Sequence, residues 1–404
     1  MHNSNRDSSG RTRPLRVATV FGTRPEAIKM APVVTELKKY PDEFETVVVV
    51  TAQHRQMLDQ VLELFRIKPD HDLNIMQERQ TLFDITIRAL QGLGEVFARI
   101  QPDLVLVHGD TTTTFAGSLA AYYLQVPVGH VEAGLRTFNK YSPYPEEMNR
   151  HLTGVLTDFH FAPTETASHN LRNEGVSGER IWVTGNTVID ALLATVRPDY
   201  RLPAGMLQRP LDPQERVLVV TTHRRENLGE RLREVYLALH DLLAEFPDTR
   251  LVFPVHKNPR VREVVEPVLG PNSPFAGRID LIEPLEYEPF ANVMNQATLV
   301  LTDSGGLQEE APALGKPVLV LRDTTERPEA VAAGTVKLVG TGRREIFAAA
   351  RELLADPVAY EAMARAANPY GDGRAAGRVV QALRLHYGLS REPFVPFQPE
   401  GRNP

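Results

Sequence analysis

Three carboxylates stand where apolar runs of the sequence give way to polar ones. Asp110 follows "LVLVHG", Glu132 follows "VPVGHV", and Glu146 sits at the start of the helical-looking "PEEMNRHL". Carboxylates brought together in a cleft shift one another's proton affinity and can divide acid and base roles. Each also has an ordinary reading. Asp caps helices well, so Asp110 reads equally as the N-cap of the helix after it. Pro145, Glu146 and Glu147 complement a helix dipole, and Glu146 with Arg150 makes an i, i+4 surface pair.

Cations answer them. "FGTRPEAIKMAP" places Arg24 and Lys29 where a short apolar strand feeds a helix. Gly22 permits a tight turn and close approach of a ligand, Pro25 suits a first helical turn, and free N–H groups there attract anions. The plain alternative is a surface turn with a solvated Arg24. Further on, "TTHRREN" sets His223, Arg224 and Arg225 after a strand, and "VHKNPR" sets His256 and Lys257 after the next. A single histidine after a strand is as readily structural. "TDSGGLQEEAP" puts Ser304, Gly305 and Gly306 at another strand-to-helix turn, where Ser304 can cap and backbone N–H groups can hold phosphate. Glu310 follows one turn in, placed to accept from ribose hydroxyls. Taken together, the cations suit a diphosphate and the carboxylates a sugar.

These residues need a frame. Strand-like runs at Val47–Val50, Leu104–Val107, Val126–Val131, Val217–Thr221, Leu251–Val255, Thr298–Leu301 and Val318–Leu321 alternate with helical patterns. Such alternation predicts an α/β fold: two doubly wound, Rossmann-like domains with a cleft between them, GT-B-like. The expected division is 15–187 and 188–372. A helix at 373–389 crosses back to the first domain, a polar tail covers 1–14, and a loosely attached Pro-rich tail covers 390–404. The Pro-rich stretch from Arg197 to Glu215 separates the halves.

Composition excludes other classes. The chain has 404 residues and no cysteine, so disulfides and thiolate metal sites are out. A net charge of −6 argues against non-specific nucleic-acid binding. No apolar run is long enough to span a membrane and no signal peptide is visible, so a cytoplasmic enzyme is expected. Neither a Walker A motif nor a G-x-G-x-x-G after the first strand is present. Asp70-His71-Asp72 matches a bare D-x-D but reads as a solvated turn after Pro69. No metal and no cofactor is expected.

The stretches "FGTRPEAIKMAPV", "TAQHRQMLDQVL", "VHGDTTTT", "HVEAGLRT", "PEEMNRHL", "TGNTVID", "THRREN", "HKNP" and "TDSGGLQEEAP" together resemble the non-hydrolysing UDP-N-acetylglucosamine 2-epimerase family, in order, from Leu15 to Tyr387. The resemblance implies reversible inversion at C2 between UDP-GlcNAc and UDP-ManNAc. In that scheme UDP leaves first, a 2-acetamidoglucal forms, C2 is re-protonated on the other face, and UDP returns. Asp110, Glu132 and Glu146 are then the acid/base candidates, with no assignment of faces, and His223 a diphosphate contact or catalytic assistant. Arg24, Lys29, Arg224, His256, Ser304, Gly305, Gly306 and Glu310 are implied substrate contacts. Family members with a second, regulatory UDP-GlcNAc imply an allosteric site at Gln53, Gln56 and Arg79, shared with Glu146, Arg224 and His256. A homodimer serving polysaccharide biosynthesis is also implied. A hydrolysing epimerase, a GT-B glycosyltransferase and a nucleotide-sugar binding module remain the alternatives.

Overall fold

The structure, a computed structural model, describes residues 13–53, 55–224 and 227–400. The chain divides into two compact units. One runs to Ala191 and takes in Tyr370–Gln398; the other covers Leu192–Pro369.

The first unit is built on β1 (Leu15–Phe21), β2 (Phe44–Val50), β3 (His71–Asp72), β4 (Leu104–His108), β5 (Val128–Val131), β6 (Phe159–Ala162) and β7 (Ile181–Val183). They form one parallel sheet in the order β3-β2-β1-β4-β5-β6-β7. Between them run α1 (Arg24–Leu37), α2 (Arg55–Leu64), α3 (Leu82–Ile100), α4 (Thr112–Tyr123), α5 (Glu146–Leu156), α6 (Glu165–Asn173) and α7 (Thr187–Thr195). The division between units falls inside α7.

The second unit has β8 (Arg216–Thr221), β9 (Thr249–Pro254), β10 (Ile279–Ile282), β11 (Leu299–Thr302), β12 (Val318–Val320) and β13 (Val336–Leu338), in the order β10-β9-β8-β11-β12-β13. Its helices are α8 (Glu230–Glu245), α9 (Pro259–Leu269), α10 (Tyr287–Gln296), α11 (Leu307–Ala313), α12 (Pro328–Ala332), α13 (Arg343–Ala355) and α14 (Pro357–Ala364). The chain then returns to the first unit as α15 (Ala375–His386), which packs on α1.

The central strands read as unbroken apolar runs because helices cover both faces of a parallel sheet. Val17, Ala18, Val20 and Phe21 of β1 are all fully buried. Strand order reverses between β1 and β4 in the first unit and between β8 and β11 in the second. Connections leave such a switch point in opposite directions, which opens a crevice at the carboxyl ends of the strands. The turns after β1, β4, β8 and β11 are those that carry Arg24, Asp110, His223 and Ser304.

The stretch from Arg197 to Glu215 packs on the second unit: Gln208 N donates to Asp280 Oδ1 at 2.8 Å, and the buried Arg250 guanidinium donates to the carbonyls of Arg209 and Pro210. Two expectations need correction. The Pro-rich tail is tied down as well. Phe397 N donates to Val183 O at 2.9 Å, its ring is buried, and Arg378 lies over that ring. The D-x-D segment is an edge strand, not a turn. His71 and Asp72 pair with β2, Asp70 accepts from Val48 N at 2.8 Å, and Asp72 binds Arg55.

Where the chain leaves and re-enters the first unit, Asp190 accepts from Ala375 N (3.1 Å) and Ala376 N (2.8 Å). Burial pushes its carboxyl up to about 6, more than those two N–H groups pull it down, and Asp372 adds repulsion. A raised folded-state value means this carboxyl favours the folded state fully below its ordinary range, and the contribution is lost as pH rises through about 6. Asp190→Asn should therefore remove a decline in first-unit stability of about 2 kcal/mol between pH 4 and pH 7. Denaturant unfolding followed by Trp182, the single tryptophan, measures it; equal slopes in both proteins would refute the assignment.

Candidate functional site

In the first unit the turns after β1, β4 and β5 converge on one buried ion cluster. Glu132 follows β5 with its backbone in the left-handed region (φ 62) and only 6% of its surface exposed. A non-glycine residue held there is strained, and the strain turns its carboxylate into the cluster. Oε1 accepts from Lys29 Nζ and, at 3.1 Å, from Asn186 Nδ2. Oε2 accepts from Arg150 Nη2 at 3.3 Å, and Arg150 Nη1 donates to the Glu132 carbonyl. Arg150, itself buried on α5, also binds Asp110 Oδ2. Burial alone would push the Glu132 carboxyl up, but the Lys29 ammonium and the Arg150 guanidinium hold it well below the usual carboxylate range.

Asp110 is half-exposed, and its carbonyl accepts from Asn149 Nδ2 at 3.0 Å. It does not cap α4; Thr111 does, accepting from Thr114 N. That frees the Asp110 carboxylate for Arg150. The expected surface pair between Glu146 and Arg150 is replaced for the same reason, since the guanidinium turns inward to two other carboxylates. Glu146 opens α5, half-buried, and its neighbour Glu147 holds the preceding loop through Thr137 N and Phe138 N. Arg24 is half-buried at the start of α1.

Two glycines serve the fold rather than a ligand. A Cβ on Gly22 would lie 2.0 Å from Thr51 Oγ1. One on Gly134 (φ 87) would lie 2.3 Å from Ala167 O, so the space there belongs to α6. Pattern reading also passed over three histidines on adjacent strands, His108, His130 and His160, all buried. Burial lowers all three, His108 to about 3 and His160 to about 4, so they are neutral. Neither ring nitrogen of His108 has a hydrogen-bond partner, and its Nε2 lies 3.9 Å from Glu132 Oε2.

In the second unit the organising residue is Asp303, which the sequence reading did not single out. It is fully buried at the end of β11. It accepts from His223 N (2.9 Å) and Arg224 N (2.9 Å), and its Oδ1 lies 2.8 Å from His223 Nδ1. Burial raises the Asp303 carboxyl, and the His223 hydrogen bonds bring it below its ordinary range. The carboxylate holds Nδ1 as the protonated nitrogen and leaves Nε2 outward. His256 stacks beside His223 at 6.2 Å between ring centroids. A signal was available: Asp303 stands at the carboxyl end of the apolar run Leu299–Thr302, as Asp110 and Glu132 stand after theirs.

Ser304 does not cap α11. The N-cap is Gly306, and Ser304 N instead donates to Thr302 Oγ1. A Cβ on Gly305 or Gly306 would meet no atom within 4 Å, so packing does not demand glycine at either position. Glu310 accepts from Tyr287 Oη at 3.3 Å. Of the expected regulatory residues, Gln53 has a buried side-chain oxygen without a hydrogen-bond partner and Arg79 is exposed. The Gln56 side chain and Arg225 lie outside the described residues. Among the described residues no group of His, Asp and Glu could hold a metal ion, and no helix is long and apolar enough to cross a membrane.

Two doubly wound parallel sheets, each with its polar residues at the switch point, define a GT-B-like α/β protein. The family model for UDP-N-acetylglucosamine 2-epimerase matches residues 35–384. The chain belongs to that family. The Bacillus subtilis UDP-N-acetylglucosamine 2-epimerase is 58% identical over 380 residues, covering 94% of this chain and 97% of its own length. A crystal structure of a UDP-N-acetylglucosamine 2-epimerase superposes with a TM-score of 0.87 at 55% identity, over 96% of this chain and all of the other. The Neisseria meningitidis enzyme, bound to UDP-GlcNAc, gives 0.80 at 51% identity, over 91% and 99%.

Arg150 is the shared partner in the cluster. Arg150→Met should destabilise the first unit by about 3–5 kcal/mol at pH 7.5, because it leaves buried carboxylates short of a cation. Arg150→Lys should recover less than half, since one ammonium cannot span both carboxylates as a planar fork does. Trp182-monitored unfolding tests both; a loss under about 1 kcal/mol for Arg150→Met would contradict the network, because removing one partner of a buried pair costs several times that.

Proposed function

We propose that this chain interconverts UDP-GlcNAc and UDP-ManNAc without net hydrolysis, by eliminating UDP, forming a 2-acetamidoglucal and adding UDP back. The observation that carries the reading is the convergence of Asp110, Glu132, Lys29 and Arg150 at the switch point of the first sheet. The C2 proton of an intact hexose is not acidic. It becomes removable once the C1–O bond has broken and the ring is oxocarbenium-like. Cations aimed at the departing diphosphate lower that barrier, and one well-placed donor is worth about 3 kcal/mol.

The environments support different roles for the carboxylates. Glu132 is ionised and its oxygens are taken up by Lys29, Asn186 and Arg150. It holds cations in place and is a poor proton carrier. Asp110 and Glu146 reach solvent and take the two proton transfers at C2, one per face. In the second unit, His223, oriented by Asp303, and the Ser304-Gly305-Gly306 turn hold the diphosphate, and Glu310 holds the ribose. Glycines that packing does not require leave the backbone open to phosphate oxygens. In the first unit Arg24 offers a forked cation suited to phosphate. A second UDP-GlcNAc regulates the enzyme through first-unit residues that include Gln53, Gln56 and Arg79; the unpartnered Gln53 oxygen supports a polar ligand there.

Proton NMR of UDP-GlcNAc incubated with the protein in D2O is the test. UDP-ManNAc should appear with deuterium at C2. Free ManNAc as the main product would replace this reading with hydrolysis, and no deuterium at C2 would exclude it. Asp110→Asn and Glu146→Gln should each lower kcat by about 10²- to 10⁴-fold, with UDP affinity retained within about threefold.

A further inference from the structure

The run "DTTTT" is longer than a helix cap needs, and the site described above uses only Asp110 and the cap at Thr111. Glu26 accounts for the rest. It is the third residue of α1 and completes a capping box with Thr23. Its Oε2 accepts from Gly22 N (3.0 Å), Thr23 N (2.8 Å) and Thr23 Oγ1 (2.8 Å). A capping box asks no more than this of its acid. Asp84 does the same for α3 while partly exposed.

Glu26 goes further. It is 2% exposed, and its other oxygen crosses to the β4–α4 turn. Oε1 accepts from Thr111 Oγ1 at 2.6 Å and lies 3.1 Å from Thr114 Oγ1, which also donates to His108 O. Beside it, Thr113 Oγ1 and Thr51 Oγ1 are 2.8 Å apart over Gly22. One carboxylate thus joins the turn that carries Arg24 to the turn that carries Asp110. Burying a carboxylate is costly unless every lone pair is used, and capping alone would not require it.

We propose that Glu26 is a positioning residue of the reaction: its carboxylate locks the Gly22–Arg24 turn to the Asp110–Thr114 turn, setting the distance between the substrate-facing cation and the substrate-facing carboxylate. Glu26 touches no substrate; it acts through the backbone of Thr111, next to Asp110, and through the first turn of α1. The kinetic half of this inference rests on the epimerase reading; the structural half does not.

Two measurements separate them. Hydrogen–deuterium exchange on the whole chain should show faster exchange in Glu26→Ala at both turns, residues 22–26 and 109–114, and no change at either in Glu26→Gln. Gln keeps an oxygen toward Gly22 and Thr23 and offers an amide to the threonine hydroxyls. In parallel, kcat for UDP-GlcNAc should fall by about 10- to 100-fold in Glu26→Ala, as expected for misplacing a reacting group by a fraction of an ångström, and return to within about threefold in Glu26→Gln. Should Glu26→Ala not fold, Thr111→Ala cuts the shorter crossing bond, and Thr81→Ala, which removes the α3 cap in the same way, is its control. The first should lose about tenfold in kcat and the second nothing. Exchange confined to residues 22–26, or Glu26→Ala with wild-type kcat, would overturn the proposal. Wild-type protein that makes no UDP-ManNAc would instead sink the epimerase reading and leave the exchange result to stand or fall by itself.

Discussion

The buried carboxylate of Glu132 is the constraint around which the first unit is arranged. A charge with 6% of its residue surface in water survives only if cations and donors surround it. Lys29 arrives from α1, Arg150 from α5 and Asn186 from the turn before α7. Each of these elements therefore has its orientation tied to one side chain. The arrangement also decides which carboxylate can do what. An acid fully engaged by cations resists protonation, while a half-exposed neighbour sharing one of those cations stays within reach of a ligand.

The same logic recurs in the second unit with different parts. Asp303 is fully buried and its donors are two backbone N–H groups and an imidazole. Here the buried carboxylate fixes a tautomer and a turn rather than a set of cations. In both units the anchor sits at the carboxyl end of a strand next to the point where strand order reverses. The parallel sheet supplies the crevice, and a buried acid supplies the precision that loops alone lack.

Fixing these groups in advance also bears on catalysis. Lys29, Arg150 and the His223 ring are each held by a protein carboxylate in the folded chain, so little reorganisation of these groups is left for a reaction step. The neutral histidines behind Glu132 add bulk without adding charge, which keeps the local balance of charge with Lys29 and Arg150.

Much of the fold was legible in the sequence. Parallel strands covered on both faces are continuous apolar runs, so β1, β2, β4, β8, β9, β11 and β12 announce themselves. The flanking strands β3 and β13 have two and three residues, too few to show a period, and only pairing with a neighbour makes them strands. The polar residues after the long strands were legible too, because a charge at the end of an apolar run is conspicuous. What they bond to was not. The turn of Arg150 away from Glu146, the engagement of Glu132 and the bridge through Glu26 all depend on residues tens of positions apart. Local sequence specifies which groups are available at each strand end; only the packed chain decides which of them meet, because buried charges select partners by proximity in space.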